Sequence, residues 1–172
     1  NDMLPVFGGY VESPWAQTTA KIAPSKNFLF HAVRDSDDIA SDFQFTHRVD
    51  GQNVAKHPYT TAELGGGLQV THHRRPYIDG DDIAQQAIAK FASVANLLVY
   101  YMYHGGSNPI GKLSTLQESK ATGYPNDLPI ISYDFQAPLG EFGGFHRSCS
   151  LLRVFHQFIK NFSSKIQIAI VI

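Results

Sequence analysis

The stretch from Pro58 to Gly106 limits the fold more than any other part of the chain. "PYTTAE", Pro58 to Glu63, is β-branched and aromatic and reads as a strand ending at Glu63. Gly65, Gly66 and Gly67 break it. After "YIDGDD" an amphipathic helix is expected from Asp81 to Ala95. Acidic residues in its first turn complement the macrodipole, and Ile83, Ala87, Phe91 and Val94 recur at helical spacing. "NLLVYYMYHGG" follows as a continuous apolar run, the pattern of a strand buried on both faces. Strand, glycine break, helix, strand is the order of a β/α unit with parallel strands. In such folds the chemistry sits at the carboxyl ends of the strands, which here hold Gly8-Gly9, Glu63 with its glycines, and His104-Gly105-Gly106.

The flanking sequence extends the pattern. Leu4 to Phe7 reads as a short buried strand closed by Gly8-Gly9, and "ESPWAQTTAKIAPS" as a proline-containing loop. "NFLFHAV", Asn27 to Val33, fits a strand or a helical turn, and "RDSDDIASD" a polar loop or short helix. A second amphipathic helix is expected from Arg147 to Phe162, with Leu152, Phe155, Ile159 and Phe162 on one side. The final "IQIAIVI" reads as a β-strand, and both ends look like cuts through a longer protein. At 172 residues there is room for one sizeable core.

Several functions fail on residue type or spacing. The formal net charge of −1 gives no footprint for nucleic acid or an anionic membrane. The single Cys149, inside the second helix, excludes an intrachain disulfide and a cysteine-based zinc site. The three glycines after Glu63 could expose N–H groups to a phosphate, but no Gly-Lys-Ser/Thr follows and a glutamate just ahead would repel the anion. His72 and His73 are adjacent, so on a strand they point to opposite faces; His104, His146 and His156 are scattered, and local hydrogen bonding accounts for them better than a metal does. Arg74-Arg75-Pro76 reads as a solvated or ion-paired loop, and no G-x-S-x-G elbow marks a serine nucleophile.

Carboxylate chemistry remains. Glutamate occurs only at Glu12, Glu63, Glu118 and Glu141, and Glu63 alone ends an expected core strand. Glu141 stands near the start of the last helix, where helix-end electrostatics would explain it, and Glu118 lies in a polar loop. A strand-end glutamate serves either as a catalytic group or as a structural hydrogen-bond acceptor, and residue pattern alone leaves both open.

Three blocks together resemble the barrel domain of glycoside hydrolase family 35, the β-galactosidases. "TAELGGG" is similar to the place where that family carries its nucleophilic glutamate, at the end of barrel strand seven. "LLVYYMYHGGSNPIG" resembles its strand-eight signature of aromatic-Met-aromatic, Gly-Gly, Thr or Ser, and Asn. "ISYDFQAPLGEFGG" resembles its Ser-Tyr-Asp-aromatic-x-Ala-Pro-Leu/Ile-x-Glu-x-Gly motif. Order and spacing agree, from about Leu4 to Phe162.

The resemblance implies an α/β fold of the (β/α)8 TIM-barrel type, of which this chain holds only the C-terminal strands and helices: residues 1–162 as part of the catalytic domain, 163–172 as a tail or the stub of a β-rich domain. It implies retaining hydrolysis of terminal non-reducing β-D-galactose with Glu63 as nucleophile, Tyr101 and Tyr133 near the galactose, a β-galactoside as the partner molecule, and no metal or organic cofactor. It also implies a secreted or periplasmic bacterial parent whose remaining chain completes the barrel. Phe135 stands where many members have a second tyrosine, and Leu64 where an aromatic often follows the nucleophile. The family's acid/base glutamate sits in an Asn-Glu pair at the end of strand four; this chain has no such pair, and Glu12 lies in another context. A complete barrel needs about 250 residues. The rival readings are a non-catalytic carbohydrate-binding remnant and an exo-glycosidase for another terminal sugar such as arabinose or glucosamine.

Overall fold

In the computed structural model, three parallel strands lie side by side in the order β1-β4-β5, with two helices packed on one face. The structure describes residues 6–9, 18–22, 46–47, 53–54, 58, 60–68, 77–93, 95–109 and 131–170. The elements are β1 (Val6–Gly9), β2 (Thr46–His47), β3 (Asn53–Val54), β4 (Thr60–Gly65), α1 (Gly80–Ala92), β5 (Leu97–Tyr101), β6 (Gly106–Ser107), β7 (Ser132–Tyr133) and α2 (Arg147–Ile170). β4 is central and pairs in parallel with β1 and β5, as the strand–helix–strand order requires. β2 with β3, and β6 with β7, form two short antiparallel pairs. The expected segments 27–33 and 69–76, with His72, His73, Arg74 and Arg75, lie outside the described residues, as do Glu12 and Glu118.

α1 starts one residue earlier than its acidic turn suggests because Asp79 caps it. The Asp79 carboxylate accepts the Asp81 N–H at 3.1 Å, and Asp82 reaches back to the Asp79 N–H at 3.0 Å. This reciprocal box satisfies donors that the helix itself cannot. Leu64, Leu68, Ile78, Ile83, Ala84, Ala87, Leu152 and Phe155 form one apolar core between β4 and the helices. Phe91 meets Phe155 edge to face at 5.5 Å between centroids, joining α1 to α2. Cys149 is buried in this layer, the small core residue that its helical position suggests.

Two expectations change. β5 is not buried on both faces: Leu98 and Tyr100 pack on the core, while Leu97 and Val99 are 53% and 44% exposed. Its unbroken apolar pattern therefore marks a second face that the helices do not cover. Within the terminal run, residues 166–170 are helical rather than a strand, since α2 continues to Ile170. No glycine or proline separates residues 147–170, so a helix once nucleated propagates through an alternating apolar run.

β4 carries a bulge. Thr61 pairs with Leu98 and Leu64 with Tyr100, so two residues of β4 oppose Val99 alone; on the other side Thr61 pairs with Phe7 and Glu63 with Gly8, again one residue out of step. Ala62 and Glu63 are consequently both exposed in a row, between buried Thr61 and buried Leu64. The Thr61 hydroxyl bridges the gap, donating to the Leu97 carbonyl and accepting the Val99 N–H, both at 3.2 Å.

Candidate active site at the carboxyl ends of the strands

Glu63 owes its position to this bulge. Leu64 and Tyr100 turn toward the helices, and strand alternation sends Glu63, Val99 and Tyr101 to the opposite face. Glu63 and Tyr101 thus share one face, on neighbouring strands, at the carboxyl ends where a parallel sheet keeps its chemistry.

The glycines beyond Glu63 are not a phosphate loop. The Gly66 N–H donates to the Tyr101 carbonyl at 3.1 Å, and the Leu68 N–H to the Phe135 carbonyl at 3.0 Å. A Cβ on Gly66 would fall 1.9 Å from the Met102 carbonyl oxygen, and one on Gly67 1.4 Å from that of Phe135. These residues are glycine because two other backbone segments cross directly over them. The Tyr101–Met102 peptide, part of the crossing, is cis.

The second crossing belongs to the segment after β7. Phe135 and Gln136 adopt left-handed conformations, with φ of 50° and 61°, which turns the Phe135 carbonyl onto Gly67 and Leu68. The Leu139 N–H donates to the Tyr103 carbonyl at 2.9 Å and the Gly105 N–H to the Leu139 carbonyl at 2.7 Å. The "SYDFQAPLGEF" segment is thereby laid across the ends of β4 and β5. It brings the Tyr133 phenol into a hydrogen bond with the Tyr101 phenol, the two rings edge to face at 6.2 Å, and packs the Phe135 ring at a tilt against Tyr133, 4.3 Å between centroids. In a phenol–phenol pair one hydrogen lies between the oxygens and the other is directed away, toward an acceptor such as a carboxylate or a sugar oxygen.

Residue pattern alone did not single out the polar groups behind this pair. Glu141 is not explained by helix-end electrostatics: its carboxylate accepts hydrogen bonds from Ser107 and Ser132, and its N–H donates to Asp134 Oδ2 at 2.8 Å. Asp134 Oδ1 in turn lies 3.3 Å from His146 Nε2. The available signal was the recurrence of acceptors and hydroxyls within "SYDFQAPLGEF". His104 bonds its neighbouring Gly105 carbonyl through Nδ1, and His156 bonds the Tyr100 phenol at 2.8 Å. Burial lowers the His156 pKa and raises that of Tyr100, so the phenol keeps its proton and the pair is held as two neutral groups. Among the described residues no group of three His, Cys, Asp or Glu side chains could hold a metal ion, and no described helix is long and apolar enough to cross a membrane.

The Tyr101–Tyr133 pair and the segment that holds it lie at the same strand ends as Glu63. The family model for glycosyl hydrolases family 35 matches residues 5–159. The chain belongs to glycosyl hydrolases family 35. No curated protein and no solved structure matches it. Family 35 membership makes carbohydrate the substrate class and implies a TIM-barrel fold; the described residues supply three adjacent parallel strands and two helices compatible with part of one. All three blocks that resemble family 35 fall inside the matched span, and so do Glu63, Tyr101 and Tyr133.

Proposed function

We propose that this chain is the C-terminal part of the catalytic barrel of a retaining exo-β-galactosidase, with Glu63 as nucleophile and Tyr101 and Tyr133 as galactose-facing groups. The observation that carries the reading is the bulge in β4, which turns an exposed carboxylate onto the Tyr101 face at the strand end, within a family 35 match. In the first step Glu63 attacks the anomeric carbon, forming a covalent glycosyl ester as the aglycone oxygen leaves with a proton. In the second, water attacks that carbon and releases Glu63. Both steps use a second carboxyl group about 5 Å away, first as acid and then as base. That group comes from a part of the parent protein outside these residues, because the chain has no Asn-Glu pair. β1, β4 and β5 then serve as neighbouring staves of the closed barrel, and the uncovered face of β5 turns to its interior.

The decisive experiment is inactivation of the full-length parent with an activated 2-deoxy-2-fluoro-β-galactoside. The fluorine slows both steps and the good leaving group restores the first, so the ester accumulates on the nucleophile. Mass spectrometry should find the sugar on Glu63; labelling of another carboxylate removes the assignment. The missing Asn-Glu pair favours one second reading, a carbohydrate-binding remnant in which Glu63 only accepts hydrogen bonds from sugar hydroxyls. Saturable binding without label supports it. Label from a fluoro-sugar other than galactose would keep the nucleophile and change the substrate. This chain alone should not turn over natural galactosides, whose leaving oxygen needs a proton donor.

A further inference from the structure

We propose that Glu141 is a positioning residue for the Tyr101–Tyr133 phenol pair, acting through Ser107, Ser132 and Asp134. β6 and β7 have two residues each, with Gly106 opposite Tyr133 and Ser107 opposite Ser132. An antiparallel ladder of that length does not hold itself in water. Glu141 closes it from the side. The two serine hydroxyls, direct partners across the ladder, both donate to its carboxylate, Ser132 at 2.6 Å and Ser107 to the other oxygen. Hydrogen bonds to an ionised carboxylate are stronger than those between neutral groups.

The carboxylate is itself fixed. The Glu141 N–H donates to Asp134 Oδ2 at 2.8 Å, and Gly105 leaves the space, since a Cβ there would lie 2.9 Å from the Glu141 nitrogen. Ser132 and Asp134 are the two sequence neighbours of Tyr133, so Glu141 grips the chain on both sides of that residue. What remains for Tyr133 is rotation of its side chain, and the Phe135 ring against it together with the Tyr101 phenol restricts that. The inference rests on the proposed reading in one respect, that the phenol pair faces the sugar.

The test uses the full-length parent labelled with [13Cζ]-tyrosine, in which the tyrosine ring carbon bearing the hydroxyl reports phenol hydrogen bonding by NMR. In Glu141→Ala, and independently in the double variant Ser107→Ala with Ser132→Ala, the Tyr101 and Tyr133 signals should move together toward the position of water-exposed tyrosine. Glu141→Gln should leave both in place, because serine hydroxyls accept as well as donate and the amide can replace the carboxylate with one bond reversed. Unchanged signals in a folded Glu141→Ala, or in the double serine variant should Glu141→Ala not fold, overturn the proposal. So does a Glu141→Gln that behaves like Glu141→Ala. Affinity for a thiogalactoside, measured on the full-length parent, reads the other part: it should fall roughly tenfold in Glu141→Ala and recover in Glu141→Gln. Phenol signals that move while thiogalactoside affinity stays fixed uphold the positioning and remove the sugar-facing role.

Discussion

The carbonyl oxygen of Phe135 stands 1.4 Å from the point where a side chain on Gly67 would begin. The obstacle is backbone, tied down by the Leu68 N–H, so it has no rotamer through which to withdraw. Gly67→Ala should therefore lower stability by about 3 kcal/mol or more in urea denaturation. Gly106→Ala is the control: a Cβ there meets nothing within 4 Å, and the change should stay within about 0.5 kcal/mol.

Thr61 substitutes for strand pairing at the bulge. Thr61→Val keeps the shape and removes the hydroxyl, leaving the Val99 N–H and Leu97 carbonyl without it. A loss of about 1–3 kcal/mol is expected. Hydrogen exchange at the Val99 amide should accelerate more than at Leu98; equal acceleration at both would show that the hydroxyl is not a local bridge.

Lys90 is fully buried on α1, and burial lowers its pKa from 10.5 to about 8. The unfolded chain holds this proton up to a higher pH than the folded one, so the penalty is complete below 8 and disappears as pH rises through 10.5. Stability should thus climb between these values, by an amount on the order of 3 kcal/mol for this group. Lys90→Met should flatten that part of the profile relative to the unaltered chain, and an unchanged slope would show that Lys90 is not the group responsible.

His156 gives a pH dependence of the same sign at lower pH. Its pKa is depressed by burial, so its neutral form supports the fold above the ordinary histidine range, and that support is lost as pH falls through the depressed value. The melting temperature should drop on acidification below about 6.5, the unperturbed histidine value. His156→Gln, which cannot take up that proton, should lose part of the drop.

Glu63 is exposed, so Glu63→Gln should change stability by no more than about 0.5 kcal/mol. In the full-length parent the same substitution should abolish covalent trapping by the fluoro-sugar. Trapping that survives in Glu63→Gln would move the nucleophile elsewhere.

The alternation of elements could be read from residue pattern because each has a local cause: acidic residues open α1, three glycines end β4, and an apolar stripe forms α2. The bulge could not, because "TTAE" looks the same with one residue out of step; only its pairing with β1 and β5 reveals it. Glu63 and both tyrosines came from blocks of sequence, whereas Glu141 acts through residues 9 and 34 positions away, a separation that no periodicity reports. β5 differs in another way. Its apolar pattern reports two faces to be covered, but no local signal tells that the described helices cover only one of them.

The extra residue in β4 also bears on any attempt to graft this carboxylate elsewhere. Copied onto a regular strand, "TTAELG" would keep either Thr61 or Leu64 in its present orientation, but not both. If Thr61 were kept, strict alternation would turn Glu63 inward among the helices. Natural variation faces the same restriction. Deleting one residue between Thr61 and Leu64 would restore perfect pairing with both neighbours, yet it would remove the turn that sets two successive side chains on one face. The irregularity is the part that has to be transplanted.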